Sequence, residues 1–171
     1  MSADGPLAYY RLGEHPGAGT MADDTGQHDG TYRNGVALGF DGAPNCGVAA
    51  RATGGCNGNA DDPVDDANTA AAFHGRGAHG YVNGIAAPAN AFSMEAWVNP
   101  RTAGNMMVMQ HGGGGAIWIA GGHLVFRASP LVGSITGGPA VGTGDWHHVV
   151  GTWDGSVQRL YVDGALAASG P

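Results

Sequence analysis

Two cysteines are the first side chains in this sequence whose spacing suggests chemistry. Cys46 and Cys56 flank a segment rich in Gly and Ala, a spacing that predicts a local disulfide. A bridge closing a loop of this size stabilises a fold by roughly 3 kcal/mol in the chain-entropy model. Two free thiols in a reducing compartment are the alternative. Zinc is disfavoured, because two cysteines without a second Cys pair or a His pair supply half of a tetrahedral site.

Hard oxygen ligands crowd the stretch that follows the second cysteine. Residues 57–68 combine aspartates with asparagines, and Ca²⁺ takes six to eight such oxygen ligands. The spacing differs from that of an EF-hand, which places Gly at the sixth position and Glu at the twelfth. A Ca²⁺ site and a solvated acidic loop therefore both stay open. The aspartates of the predicted metal site are Asp61, Asp62, Asp65 and Asp66.

Catalytic groupings are poorly represented. Retaining glycoside hydrolysis needs two carboxylates about 5 Å apart, and Glu14 and Glu95 are the glutamates of the chain. On a strand, the residues that share a face with Glu95 carry no second carboxylate. His147 and His148 are adjacent, so on a strand they point to opposite faces and cannot share an ion. The sequence therefore predicts that the protein is not an enzyme.

Aromatic side chains offer a binding chemistry instead. Sugar recognition stacks an aromatic ring on a pyranose, while polar groups fix the hydroxyls. Trp97 falls on the strand face opposite Phe92 and Met94, which predicts that its ring lies on the open side of a sheet. Packing is the alternative for a Trp in a glycine-rich sandwich. The candidate ligand-binding residues are Trp97, Glu95, Trp146 and Tyr161.

Composition limits which elements can position these residues. Glycine supplies 33 of 171 positions, and each one costs about 1 kcal/mol in a helix relative to Ala. Long helices are therefore excluded, and the length fits one domain. The net charge of −7 argues against nucleic-acid binding, which relies on clustered Lys and Arg. The absence of an apolar run of about 18 residues predicts no insertion into a membrane.

Period-two alternation predicts an all-β chain. Phe92–Val98 is the clearest strand, Asp154-Gly155 is a hairpin turn, and the C-terminal half has the pattern of an antiparallel meander. Residues 39–68 lack strand signals and are expected to form a surface excursion. The whole pattern predicts a two-sheet antiparallel sandwich. The other predicted strands are Leu7–Leu12, Thr31–Leu38, Ala70–Phe73, Gly80–Val82, Met106–Gln110, Ala116–Ala120, Leu124–Ala128, Trp146–Trp153 and Val157–Val162.

Several of these stretches match a known family in order and spacing. They are LAYYRLGE from Leu7, DDTGQHDGTY from Asp23, AAFHG from Ala71, FSMEAWV from Phe92, WHHVVGTWDG from Trp146 and LYVDG from Leu160. On these residues the chain resembles the laminin G-like branch of the concanavalin A-like lectin/glucanase superfamily. The resemblance implies one jelly-roll domain over residues 1–171.

The resemblance also carries expectations about metal and partners. The family often holds structural calcium between the loop that is here Asp23–Asp29 and an acidic closing strand, which makes Asp24 a candidate metal ligand. The sequence stops at Pro171, before the usual closing strand. An open sheet edge is therefore expected, and such an edge accepts strands from other copies of the chain or from other surface proteins.

The expected role is a non-catalytic structural or adhesive surface protein. Openings such as the one from Leu7 to Glu14 look like those of phage tail or capsid surface proteins, and no export signal precedes them. The chain is therefore expected to be a virion component that assembles with partners and binds host glycans. The alternative is a carbohydrate-binding or adhesion module of a larger secreted bacterial protein. Both place it on a virion surface or outside the cell.

Overall fold

The computed structural model describes residues 5–43, 69–86, 90–112 and 114–171. The chain divides into two compact units, Met1–Ile85 and Ala86–Pro171. Within the described ranges every regular element is a strand, and none of them contains a helix that could cross a bilayer. Cys46, Cys56 and the predicted calcium ligands Asp61, Asp62, Asp65 and Asp66 lie outside the described residues, so the disulfide and that metal site stay predictions. The single domain over 1–171 also stays a prediction.

The described residues of the first unit form two small antiparallel sheets. One has the strand order β1-β2-β5, and the other pairs β3 with β4. Met21 is buried, and it packs where Gly30 and Gly80 leave room beside their backbones. The strands are β1 (Thr20–Met21), β2 (Gly30–Arg33), β3 (Ala37–Asp41), β4 (Thr69–Ala72) and β5 (His79–Tyr81). Because β3 ends at Asp41, strand structure reaches into the excursion predicted to begin at residue 39.

Two strand predictions in this unit are wrong. Residues 7–12 form no strand, because the backbone of Tyr9 bonds to the Asp23 side chain and to the Asp24 amide instead of to a neighbouring strand. The single strand predicted over 31–38 is two strands. They are separated at Asn34-Gly35, where φ is 57° and 77°, so the chain turns and β3 pairs with β4.

The second unit is a sandwich of two four-stranded antiparallel sheets, with orders β13-β12-β11-β6 and β10-β9-β8-β7. The predicted antiparallel meander is found in two runs, β7 to β10 and β11 to β13. The exception is β6: after it the chain builds β7 to β10 and then returns to place β11 beside β6. This route gives each apolar sheet face a second layer to pack against. The strands are β6 (Phe92–Val98), β7 (Met106–Gln110), β8 (Ala116–Ala120), β9 (His123–Arg127), β10 (Ile135–Gly137), β11 (His147–Trp153), β12 (Gln158–Val162) and β13 (Ala165–Gly170).

Close packing between the two sheets explains a glycine in β11. A Cβ added at Gly151 would meet the ring of Phe126, which is fully buried. Phe92 meets the same ring edge-on, with 6.3 Å between ring centroids. The core therefore lies between the sheets, and residues alternating with these three point away from it. The buried cluster contains Ile117, Ile119, Leu124, Phe126, Ala128, Val141, Val149, Leu160 and Val162.

The predicted all-β antiparallel sandwich is confirmed. Strands β6, β7 and β8 have the predicted bounds, and β4, β5, β9, β11 and β12 differ from the predictions by one residue at one or both ends. Three short or weakly patterned strands, β1, β10 and β13, were not predicted. β13 is the most instructive, since its Ala, Ser and Gly residues give no apolar alternation and it forms by pairing with β12.

Candidate functional site

The outward side chains of sheet β13-β12-β11-β6 form a surface that we call the Trp97 face. The residues that alternate with them along each strand enter the core, so strand alternation fixes which side chains face outward. Cross-strand register sets the rows: Trp97 is opposite His148, and Val150 stands between Glu95 and Tyr161. The face consists of Ser93, Glu95, Trp97, His148, Val150, Thr152, Arg159, Tyr161, Leu166 and Ser169.

Trp97 carries the largest exposed ring of this face. The side chain is 46% exposed, and its ring stacks on the imidazole of His148 with 4.9 Å between centroids and 30° between planes. The Nε2 atom of His148 lies 2.8 Å from Oε1 of Glu95. One side of the indole is thus backed by an imidazole that a carboxylate holds in place.

Asp163 fixes the backbone that carries His148. Its Oδ1 accepts the His148 amide hydrogen at 2.9 Å, its own amide donates to the His148 carbonyl at 2.8 Å, and Oδ2 lies 2.9 Å from Nδ1 of His147. Asp163 and Gly164 have φ of 51° and 81°, the left-handed pair that a tight hairpin between β12 and β13 requires. The turn therefore sets the position of the stacked rings of Trp97 and His148, which we call the Trp97 platform.

An ion pair lies at the opposite end of the face. The Arg159 guanidinium contacts Oδ2 of Asp154 at 2.7 Å. The hydrogen bond from Arg159, followed by those from the Val157 amide and from Ser156, holds the pKa of Asp154 well below its usual range. The pKa of Arg159 is raised by the same contact. The guanidinium is consequently engaged by a carboxylate that stays ionised.

The structure groups three of the four predicted binding residues. Trp97, Glu95 and Tyr161 share the Trp97 face, with Tyr161 half-buried two strands away from Glu95. Trp146 is half-buried directly before β11, and no hydrogen bond or ring contact within the described residues joins it to the other three. Sequence reasoning missed His148 as a partner. Alternation places His148 on an outward face, but its pairing with Trp97 depends on register between distant strands.

A second polar cluster lies in the loop of residues 22–29 between β1 and β2, which we call the Asp23 loop. Asp23 is 4% exposed. Its Oδ1 accepts the amides of Tyr9 and Thr25, and its Oδ2 accepts the Thr25 hydroxyl and the amides of Gln27 and His28. The Tyr9 amide ties the N-terminal segment to the loop, and the other four donors fix the loop itself.

The hydrogen bonds decide the ionisation of Asp23. Burial by itself raises the pKa of a carboxyl group, and it is the largest individual influence here. The Thr25 hydroxyl and the amides of Tyr9, Thr25 and His28 together outweigh it, so the pKa of Asp23 lies well below its usual range. Asp23 is therefore a buried carboxylate that is charged and saturated with donors.

Neighbouring groups in this unit are also engaged locally. Oε1 of Glu14 accepts the Ala22 amide at 2.8 Å, and Oε2 accepts the Tyr32 hydroxyl at 2.6 Å. Burial, followed by the hydrogen bond to Glu14, raises the pKa of Tyr32 well above its usual range. Burial, followed by the charge of Asp23, raises the pKa of Tyr10 to about 12. Both oxygens of Glu14 are thus occupied by structural hydrogen bonds.

Asp24, the metal ligand implied by the family resemblance, is exposed in the Asp23 loop. It lines a shallow pocket of about 280 Å³ together with Tyr9, Thr25 and two residues of the N-terminal segment. Among residues 5–43, 69–86, 90–112 and 114–171, no group of three or more His, Cys, Asp or Glu side chains could hold a metal ion. The adjacent carboxylate of Asp23 is already saturated by its five donors. Calcium binding stays a prediction.

The chemistry that the Trp97 face can perform is recognition of hydroxyl groups beside a ring. Glu95 has Val150 and Tyr161 as its neighbours across the sheet, so these positions supply no second carboxylate for paired acid and nucleophile chemistry. A half-exposed indole with a carboxylate acceptor beside it matches the stacking and hydrogen bonding that a pyranose needs.

Comparison with known proteins gives one finding. The Laminin_G_3 model, described as Concanavalin A-like lectin/glucanases superfamily, matches residues 85–171. This match spans the sandwich and every residue of the Trp97 face. No curated protein and no solved structure gives a significant match to the chain.

Proposed function

The chain belongs to the laminin G-like family of the concanavalin A-like lectin/glucanase superfamily, and from this premise we propose that it is a non-catalytic adhesion module that binds carbohydrate at the Trp97 face. The observation that carries the proposal is the exposed indole of Trp97, stacked on His148 beside the Glu95 carboxylate. A carbohydrate-binding or adhesion module fits the fold.

The geometry supports binding because the platform is held before a ligand arrives. Asp163 fixes the backbone of His148, and Glu95 fixes its imidazole. A ring that is already ordered loses little conformational freedom on binding, so more of the stacking energy appears as affinity. The open side of Trp97 can then accept the apolar face of a sugar ring, while Glu95 accepts sugar hydroxyl hydrogens.

The experiment is glycan-array screening followed by calorimetric titration of the glycan with the strongest signal. Trp97→Ala is expected to weaken affinity about tenfold, since an aromatic stacking partner contributes roughly 1 kcal/mol or more. Tyr81→Ala is the matched control, because Tyr81 is 47% exposed and also carries a cationic partner, Arg33, over its ring. Equal affinities of the two variants, or a wild-type chain that binds no glycan, would contradict the proposal.

We further propose the narrower role of an assembling component of a phage virion surface, with calcium as its metal ion. The support is the sequence resemblance of residues 7–14 and the outward exposure of Leu166 on the edge strand β13. Antibodies against the chain should label purified virions, and light scattering should report self-assembly. A monomer absent from virions would favour the alternative, a module of a secreted bacterial protein. Titration with Ca²⁺ tests the metal.

A further inference from the structure

The charged groups of the Trp97 face are unevenly distributed. One carboxylate stands beside the stacked rings of Trp97 and His148: that of Glu95, which is 39% exposed and lies 2.8 Å from Nε2 of His148. The guanidinium on the face, that of Arg159, is engaged by Asp154 at 2.7 Å. The positive charge is thus balanced locally by Asp154, whereas Glu95, beside Trp97, is partnered by the imidazole of His148. The Trp97 face therefore carries a carboxylate beside its stacked rings and its guanidinium at the opposite end.

The contacts of Glu95 leave it able to accept further hydrogens. Oε1 faces His148 Nε2, and within the described part of the chain no hydrogen bond is made to Oε2. A carboxylate oxygen accepts hydroxyl hydrogens in strong, charge-assisted bonds. It repels the carboxylate or sulfate of an acidic sugar, and like charges placed together at an interface are a strong source of discrimination. The net charge of −7 adds a repulsion of the same sign.

We propose, on the basis of the function proposed above, that the Trp97 face selects uncharged hexopyranose glycans and rejects uronic, sialylated and sulfated ones. The uncharged sugar stacks its apolar face on Trp97 and donates a hydroxyl hydrogen to Glu95. An acidic sugar in the same position brings its negative charge toward Glu95, with Arg159 already paired to Asp154.

The test uses sets of related glycans in which one member is uncharged and the others carry an acidic group. N-acetyllactosamine, its sialylated form and its sulfated form are compared, together with oligogalactose and oligogalacturonate, at low salt and at 0.5 M NaCl. We expect at least tenfold tighter binding of each uncharged member at low salt. The preference is expected to narrow at high salt, because salt screens exposed charges.

Glu95→Gln keeps the shape of the side chain and removes its charge. We expect the preference for uncharged glycans to fall severalfold in this variant, with binding retained, and thermal melting confirms that it is folded. Equal or tighter binding of acidic glycans by the wild-type chain would overturn the selectivity and leave the proposed function intact. A preference that Glu95→Gln does not change would overturn the role of charge. Failure to bind every probe would overturn the proposed function itself.

Discussion

The Asp23 loop and the Trp97 face each contain a carboxylate at their centre, and the two carboxylates meet their surroundings differently. Asp23 is 4% exposed and accepts five hydrogen bonds. Glu95 is 39% exposed and contacts one imidazole. A carboxylate whose lone pairs are filled by its own chain stabilises the fold. A carboxylate that has an oxygen without a hydrogen bond and lies beside an exposed ring can accept a hydrogen bond from a ligand.

The same contrast applies to the aromatic residues of the two regions. The hydroxyls of Tyr10 and Tyr32 donate to the His28 carbonyl and to Glu14, respectively, so their polar atoms are used within the first unit. Trp97 is held through its ring face and remains half exposed. Substitutions in the first region should therefore change folding, and substitutions in the second should change binding.

The largest effect is expected from Asp23→Ala. Removing the carboxylate leaves the amides of Tyr9, Thr25, Gln27 and His28 without that acceptor, and buried donors left unpaired are costly. We expect the free energy of unfolding to fall by about 3 kcal/mol, measured by urea denaturation. Asp24→Ala, in the same loop but exposed, is the control and should stay within about 0.5 kcal/mol. Similar losses of unfolding free energy in both variants would contradict the structural role assigned to the Asp23 carboxylate.

The contribution of the Asp23 charge to stability should appear in the pH dependence of unfolding. The pKa of Asp23 is lowered in the folded state, so its stabilising contribution is fully present above the unfolded value of about 4. The contribution is lost as pH falls below that value, because the unfolded chain then binds a proton that the folded chain does not. The free energy of unfolding, measured by urea denaturation at several pH values from 7 to 2, should decrease less steeply for Asp23→Asn than for wild type. Parallel curves would contradict the assignment.

Sequence reasoning located the Trp97 face better than the Asp23 loop, and the reason is physical. Alternation in Phe92–Val98 is a local signal that separates Trp97 and Glu95 from the core. The role of Asp23 depends on donors from Tyr9, fourteen residues away, and the segment containing Tyr9 has the alternation of a strand without forming one. Likewise, the partnership of Trp97 with His148 depends on the return of β11 to the edge of β6. Local periodicity carries no information about such long-range pairing.

A smaller effect is expected from His148→Ala. The variant removes the imidazole behind the indole, so Trp97 loses its stacked partner and its fixed orientation. We expect the affinity for the best uncharged glycan to fall about threefold, and the free energy of unfolding to change by about 1 kcal/mol or less, because the side chain is partly exposed. His148→Phe keeps an aromatic ring at this position and should recover most of the affinity. A loss in His148→Phe as large as in His148→Ala would show that the hydrogen bond to Glu95, rather than the stack, sets the platform.

The smallest effect on stability is expected from Glu95→Gln, compared with the isosteric Asp23→Asn. A glutamine at 95 exchanges one exposed ionic contact for a neutral one, and exposed pairs with histidine contribute little, so the free energy of unfolding should stay within about 0.5 kcal/mol of wild type. An asparagine at 23 cannot avoid a conflict. Its NH₂ group must replace either Oδ1, which faces two donors, or Oδ2, which faces three. Each substitution replaces one carboxylate by an amide and so removes one negative charge. A larger loss of stability for Asp23→Asn in urea denaturation would show that the number of donors bonded to the carboxylate sets the difference between the two regions. Equal losses would contradict that explanation.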